Sequence, residues 1–105
     1  MPYENQTCAE ACLNCIAYCA YCIEQCAGKP DMQDCIQTCL ACIEICQSCA
    51  KLSAANNPLA EEFCKLCIKI CQMCADECDK HDHEHCRECA EACRQCIEAC
   101  ESMVS

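Results

Sequence analysis

The chain has 105 residues, 21 of them cysteine, and a formal net charge of −10. A chain of this length is expected to form one domain, 1–105. Its 17 acidic against 7 basic residues argue against a nucleic-acid partner, which needs a basic footprint, and no apolar run nears the roughly 18 residues of a membrane span.

The first helix is expected over 5–27. Its cysteines are Cys8, Cys12, Cys15, Cys19, Cys22 and Cys26. They are spaced alternately four and three apart, which is a heptad stripe with cysteine at every a and d position. Thr7-Cys8-Ala9-Glu10 reads as a capping box near its start. Gly28-Lys29-Pro30 ends it, with Gly as the stop and Pro near the next N1. The second helix, over 31–53, carries Cys35, Cys39, Cys42, Cys46 and Cys49, and Asn56-Asn57-Pro58 follows it. Asn57 is the expected N-cap of the third helix. That helix, over 58–80, carries Cys64, Cys67, Cys71, Cys74 and Cys78. The stretch from Asp79 to His85 leads into the fourth, over 83–102, with Cys86, Cys89, Cys93, Cys96 and Cys100.

All 17 intervals within the four groups keep the alternation. Each helix is about 20–23 residues, or about 30–35 Å long. Short connections make neighbours antiparallel, so the expected fold is all-α: an up-down-up-down four-helix bundle with a cysteine-lined core. Leu, Ile, Val and Phe number only 15, so the aliphatic core is thin. Ile16, Ile23, Tyr18, Ile36, Ile43, Ile45, Leu52, Phe63, Ile68, Ile70 and Ile97 flank the stripes and would seal the seams. Leu59, Leu66 and Met73 recur every seven residues away from the axis, an outward apolar stripe that points to association.

Antiparallel packing stacks the cysteines in layers. The heptads give Cys26/Cys35/Cys78/Cys86, Cys22/Cys39/Cys74/Cys89, Cys19/Cys42/Cys71/Cys93, Cys15/Cys46/Cys67/Cys96 and Cys12/Cys49/Cys64/Cys100, leaving Cys8 at the foot. As buried hydrophobes alone these residues would underpack a bundle. In-helix disulfides would be strained, because i,i+3 and i,i+4 Cβ atoms lie about 5–6 Å apart and a disulfide wants about 3.8 Å. An odd cysteine count also fits a closed disulfide framework poorly.

Metal fits the spacing better. Two thiolates at about 2.3 Å from one ion span about 4.6 Å, within reach of Cys-x-x-x-Cys on a helix. Soft thiolate favours Cu(I), zinc and iron–sulfur clusters. Five zinc–thiolate quartets would place a large negative charge along a dry axis, whereas one Cu(I) per thiolate leaves it neutral, at about 20 ions per chain. Zinc or cadmium sequestration is the alternative. A thiol oxidoreductase is disfavoured because the Cys-x-x-Cys steps lie mid-helix, away from the N-terminal dipole that lowers one thiol pKa. No acid–base pair faces the axis, so no enzyme activity is expected.

With its four cysteine runs, exemplified by Cys86-Arg87-Glu88-Cys89-Ala90-Glu91-Ala92-Cys93 and Cys35-Ile36-Gln37-Thr38-Cys39-Leu40-Ala41-Cys42, the sequence resembles the cytosolic copper storage protein family. The resemblance covers nearly the whole chain. It implies high-capacity Cu(I) storage and a homotetramer of bundles; copper ions are the expected partner, with a copper chaperone or exporter exchanging them. Met1-Pro2-Tyr3-Glu4 shows neither a charged n-region nor an apolar h-region, so a cytoplasmic chain with reduced thiols is expected.

The two ends differ. One heptad step beyond the thiols lie Met32 on the second helix and His81 on the third, beside Gly28, Lys29, His83 and His85. Met32, His81, His83 and His85 are candidate Cu(I) ligands at a mouth, weaker than thiolate. The plainer alternatives are a solvated polar loop and, for Met32, a first-turn filler. The other end, with Ser53, Ala54, Ala55, Pro58, Leu59, Ala60 and Met103, reads as closed. The apo bundle is expected to be preformed.

Overall fold

A computed structural model describes residues 3–104. Met1 and Pro2, used above to argue against a leader, lie outside them. Four helices run α1 Gln6–Cys26, α2 Gln33–Ala54, α3 Ala60–Cys78 and α4 Glu84–Glu101, with a 3₁₀ turn over Pro30–Met32. No strand occurs among the described residues. Each helix packs on its sequence neighbours and α4 closes onto α1, giving the expected four-helix bundle with principal extents of 41 × 24 × 17 Å.

The connections explain the boundaries. Ala27 (φ −57°, ψ 132°) and Gly28 (φ 80°) are the central residues of a type II turn. Lys29 N–H closes that turn on the Cys26 carbonyl at 3.1 Å. The second central position needs a positive φ, which glycine adopts without steric cost. Pro30 then starts the 3₁₀ turn, where its missing N–H costs nothing.

At the next corner the N-cap position of α3 falls on Leu59, without a side-chain cap, and not on the expected Asn57. The Asn57 side-chain carbonyl accepts from Leu59 N–H at 2.9 Å, and the α-helix itself starts at Ala60. The capping box at Thr7 is not formed. Asn5, in the left-handed region at φ 49°, precedes α1, and Glu10 instead accepts from the Gln6 side-chain amide at 2.8 Å. Gln6 and Glu10 are one turn apart on the same face, so that pair wins over a bond back to the Thr7 backbone.

All 21 cysteines are buried. Among the larger side chains of the described residues only Met32 and Ile70 are buried with them; Ile16, Ile23, Ile36, Ile43, Ile45, Phe63, Ile68 and Ile97 are half-buried at the seams. Tyr18 departs from the expected seal: it stays 37% exposed in a groove between α1 and α4. Full burial of a Leu or Ile is worth about 1.5–3 kcal/mol. With so few such residues, the thiols themselves make up most of the interior. Leu59, Leu66 and Met73 face outward, as their spacing predicts, together with Leu13, Leu40 and Tyr21.

Candidate metal centre

The thiols form a column of stacked layers along the bundle axis. At the foot, Cys8 lies 3.8 Å from both Cys64 and Cys100, and Cys49 lies 3.6 Å from Cys64. Above it, Cys96 is 3.7 Å from both Cys12 and Cys67, and Cys46 is 3.6 Å from Cys67. Next come Cys15, 3.7 Å from Cys93 and 3.8 Å from Cys42, with Cys42 in turn 3.8 Å from Cys71. Cys89 then bridges Cys19 at 3.7 Å and Cys39 at 3.9 Å, with Cys74 3.7 Å from Cys39. At the top, Cys35 lies 3.8 Å from both Cys22 and Cys78. The second and third layers connect through the in-helix steps Cys42–Cys46 and Cys67–Cys71, each 3.9 Å.

This register agrees with the heptad layers for α2, α3 and α4 but moves α1 by one layer. Cys8, expected as the surplus thiol at the foot, completes the Cys49/Cys64/Cys100 quartet. Cys26 is the surplus one, at the opposite end, 4.0 Å from Cys22. The 3₁₀ turn is the cause. It uses up axial rise, about 2.0 Å per residue, before α2 begins. Cys35 therefore meets Cys22 instead of Cys26, and Met32 occupies the stripe above it.

Every thiol is free. Sulfurs at 3.6–4.0 Å share protons, so one thiolate gains hydrogen bonds where its neighbour gives them. The Cys100 thiol draws Cys8 down to about 7, and the Cys19 thiol draws Cys89 down to about 6. Burial acts the other way first of all at Cys26, pushed up to about 12, and at Cys86, also raised. The quartets overlap: Cys12 belongs with Cys46/Cys67/Cys96 and equally with Cys49/Cys67/Cys100. Shared corners suit bridging thiolates and ions of low coordination number. They do not suit a row of separate tetrahedral sites.

The histidines gather at the Cys26 end. His85 Nδ1 lies 3.3 Å from the Cys22 sulfur and 3.6 Å from that of Cys86. Its Nε2 is buried without a hydrogen-bond partner among the described residues. His83 is exposed and stacks on His85 with ring centroids 5.3 Å apart. His81 is turned aside to Glu77, with Nε2 3.0 Å from the carboxylate; this bond lowers the Glu77 pKa. Met32, on the α2 stripe, is fully buried. Sequence reasoning placed these four residues at one end, but it did not separate His85, in touch with thiols, from His81, held by an acid one turn away.

The foot is closed. Asn5 Nδ2–H donates to the Ser53 carbonyl at 3.0 Å and Glu4 N–H to the Ala54 carbonyl at 3.1 Å, tying the N-terminal segment across the end. Met103 and Val104 pack against the core from the other terminus. Ser53 Oγ reaches three sulfurs, those of Cys8, Cys49 and Cys64.

A family model described as copper storage protein matches residues 1–105. The Bacillus subtilis cysteine-rich protein YhjQ is 37% identical over 108 residues, covering all of both chains. A Cu(I)-bound copper storage protein from Bacillus subtilis is 38% identical, with a TM-score of 0.89 over 95% of this chain and 97% of that one. A cytosolic copper storage protein from Streptomyces lividans, described with five coppers, is 34% identical, with a TM-score of 0.89 over 94% of this chain and 90% of that one. Neither these likenesses nor the overlapping quartets support the zinc or cadmium alternative.

Proposed function

Because the chain belongs to the copper storage protein family, we propose that it stores Cu(I) on the thiolates lining its bundle, many ions per chain. One observation carries the reading: 21 free, buried thiols stand in stacked layers along the axis, all but Cys86 with a sulfur neighbour at 3.6–4.0 Å. Each Cu(I) bridged by two thiolates displaces their protons. A load of about one ion per thiolate leaves the axis neutral, which a dry interior requires. All 21 cysteines, from Cys8 to Cys100, are ligands in this reading. Its chemistry is binding and release, with no turnover.

Copper enters and leaves at the end that holds Cys26, Met32, His81, His83 and His85. The Nδ1 of His85 beside Cys22 and its unpartnered Nε2 support that direction. A copper chaperone or exporter would exchange at this end, in the cytoplasm, where the Streptomyces relative is described. The exposed Leu13, Leu40, Leu59, Leu66 and Met73 support a homo-oligomer, a tetramer in keeping with the sequence resemblance.

The test is an anaerobic titration of reduced apo protein with Cu(I) against a chromophoric Cu(I) chelator. Withdrawal of about 20 ions per chain is expected. Uptake of only one to five would overturn the storage reading.

A further inference from the structure

The cysteine stripe of α2 does not stop at Cys49. The alternation of three and four puts its next inward position at residue 53, and that residue is serine. Ser53 is fully buried, the sole polar side chain to be so among the described residues. Its Oγ stands 3.7 Å from the Cys8 sulfur, 3.8 Å from Cys64 and 4.0 Å from Cys49. A thiol there would be a twenty-second member of the column. The same step on the other helices falls on Asn5, Ala60 and Met103. Of these four, only Ser53 carries an oxygen within reach of several core sulfurs.

We infer that Ser53 is the stop of the column: its hydroxyl caps the terminal thiolates by hydrogen bonding and, as a poor Cu(I) ligand, sets where the load ends. The inference rests on the storage reading above. A neutral hydroxyl keeps its proton at any ordinary pH, so it offers the terminal sulfurs an O–H donor and no anionic ligand. Cu(I) prefers thiolate to hard oxygen, so no ion is expected to bridge from Cys8 or Cys64 to Ser53. The residue is also held in place. Its carbonyl accepts from the Asn5 side chain at 3.0 Å and from Asn56 N–H at 3.1 Å, so the hydroxyl sits on a backbone clamped from both sides of the foot. A sulfur in its place would meet three thiols at ligand-sharing distance, and a further ion would find two soft donors.

The experiment compares wild type, S53A and S53C in the same Cu(I) titration, with helicity followed by circular dichroism. S53C is expected to take about one more Cu(I) per chain than wild type, and S53A the wild-type number. A helical S53C with an unchanged end point overturns the inference while wild-type uptake still supports storage. A lower end point in S53A also overturns it, because the hydroxyl would then be a ligand. If wild type itself takes up no more than a few ions, the storage reading and this inference fall together. A crystal structure of Cu(I)-loaded wild type gives a reading that needs no variant. Every copper is expected beyond bonding distance of Ser53 Oγ, and a Cu–O bond there would sink the inference.

Discussion

Cys22 and Cys35 face each other with their sulfurs 3.8 Å apart, and this pairing leaves Cys26 alone above the last full layer. Cys26 has a single sulfur neighbour, Cys22, at 4.0 Å, whereas Cys8 at the foot has two at 3.8 Å. Copper beside Cys26 is therefore expected to be held by fewer sulfurs than copper beside Cys8. In stopped-flow removal of copper by excess chelator, Cys26→Ala should lose the fastest phase and about one ion of capacity. Cys8→Ala should keep the fast phase. Identical kinetics in the two variants would contradict the register.

His85 adjoins two thiols and His81 is held by Glu77. The double variant His81→Ala, His85→Ala should keep its Cu(I) end point but change loading or release rates, by about tenfold if one ligand exchange is removed from the path. His85→Ala alone should account for most of the change. Unchanged rates in the double variant would remove the mouth from this end.

Protons compete with copper, and the competition is uneven. Cys26, pushed up to about 12 by burial, is protonated throughout the neutral range. Binding there weakens about tenfold for each unit that pH falls, or about 100-fold from pH 8 to 6. Cys8, drawn down to about 7 chiefly by the Cys100 thiol, is already mostly thiolate at pH 8. It loses only about tenfold over the same interval. Acidification should thus weaken copper binding at Cys26 more steeply than at Cys8. Chelator competition at several pH values, with wild type beside Cys26→Ala, checks the difference.

Gly28 sits at φ 80°, and nothing lies within 4 Å of a Cβ added there. The cost of Gly28→Ala is therefore conformational alone, about 1 kcal/mol. Denaturation of the apo variant should show that loss with an unchanged Cu(I) end point. A loss of several kcal/mol would mean that the turn carries packing as well.

The apo bundle needs no metal to close its seams, since Ile16, Ile23, Ile36, Ile43, Ile68 and Ile97 already pack against the thiol core. Far-ultraviolet circular dichroism should show a helical apo protein, and copper should raise its Tm by mass action. An unfolded apo state would refute a preformed store.

The four helices, their inward face and the layers contributed by α2, α3 and α4 were legible because cysteine marks every a and d position, and heptad spacing maps directly onto a helix face. Met32 and the closed foot were legible from the same stripe carried one step further. The capping box was misread because Gln6 competes for Glu10, a contact that a motif does not weigh. Tyr18 keeps a seam position yet stays exposed, since the groove beside α4 is too open to cover it.

The sequence alone thus determined the fold class, the chemistry of the core and its capacity for soft metal, because these follow from residue type and period. Only the tertiary structure decided the axial position of α1 against the other helices. That position depends on the rise consumed by Gly28 and the 3₁₀ turn, a few ångströms that no periodicity records. The same few ångströms put the surplus thiol at the histidine end and bring the Cys8 sulfur within reach of the Ser53 hydroxyl.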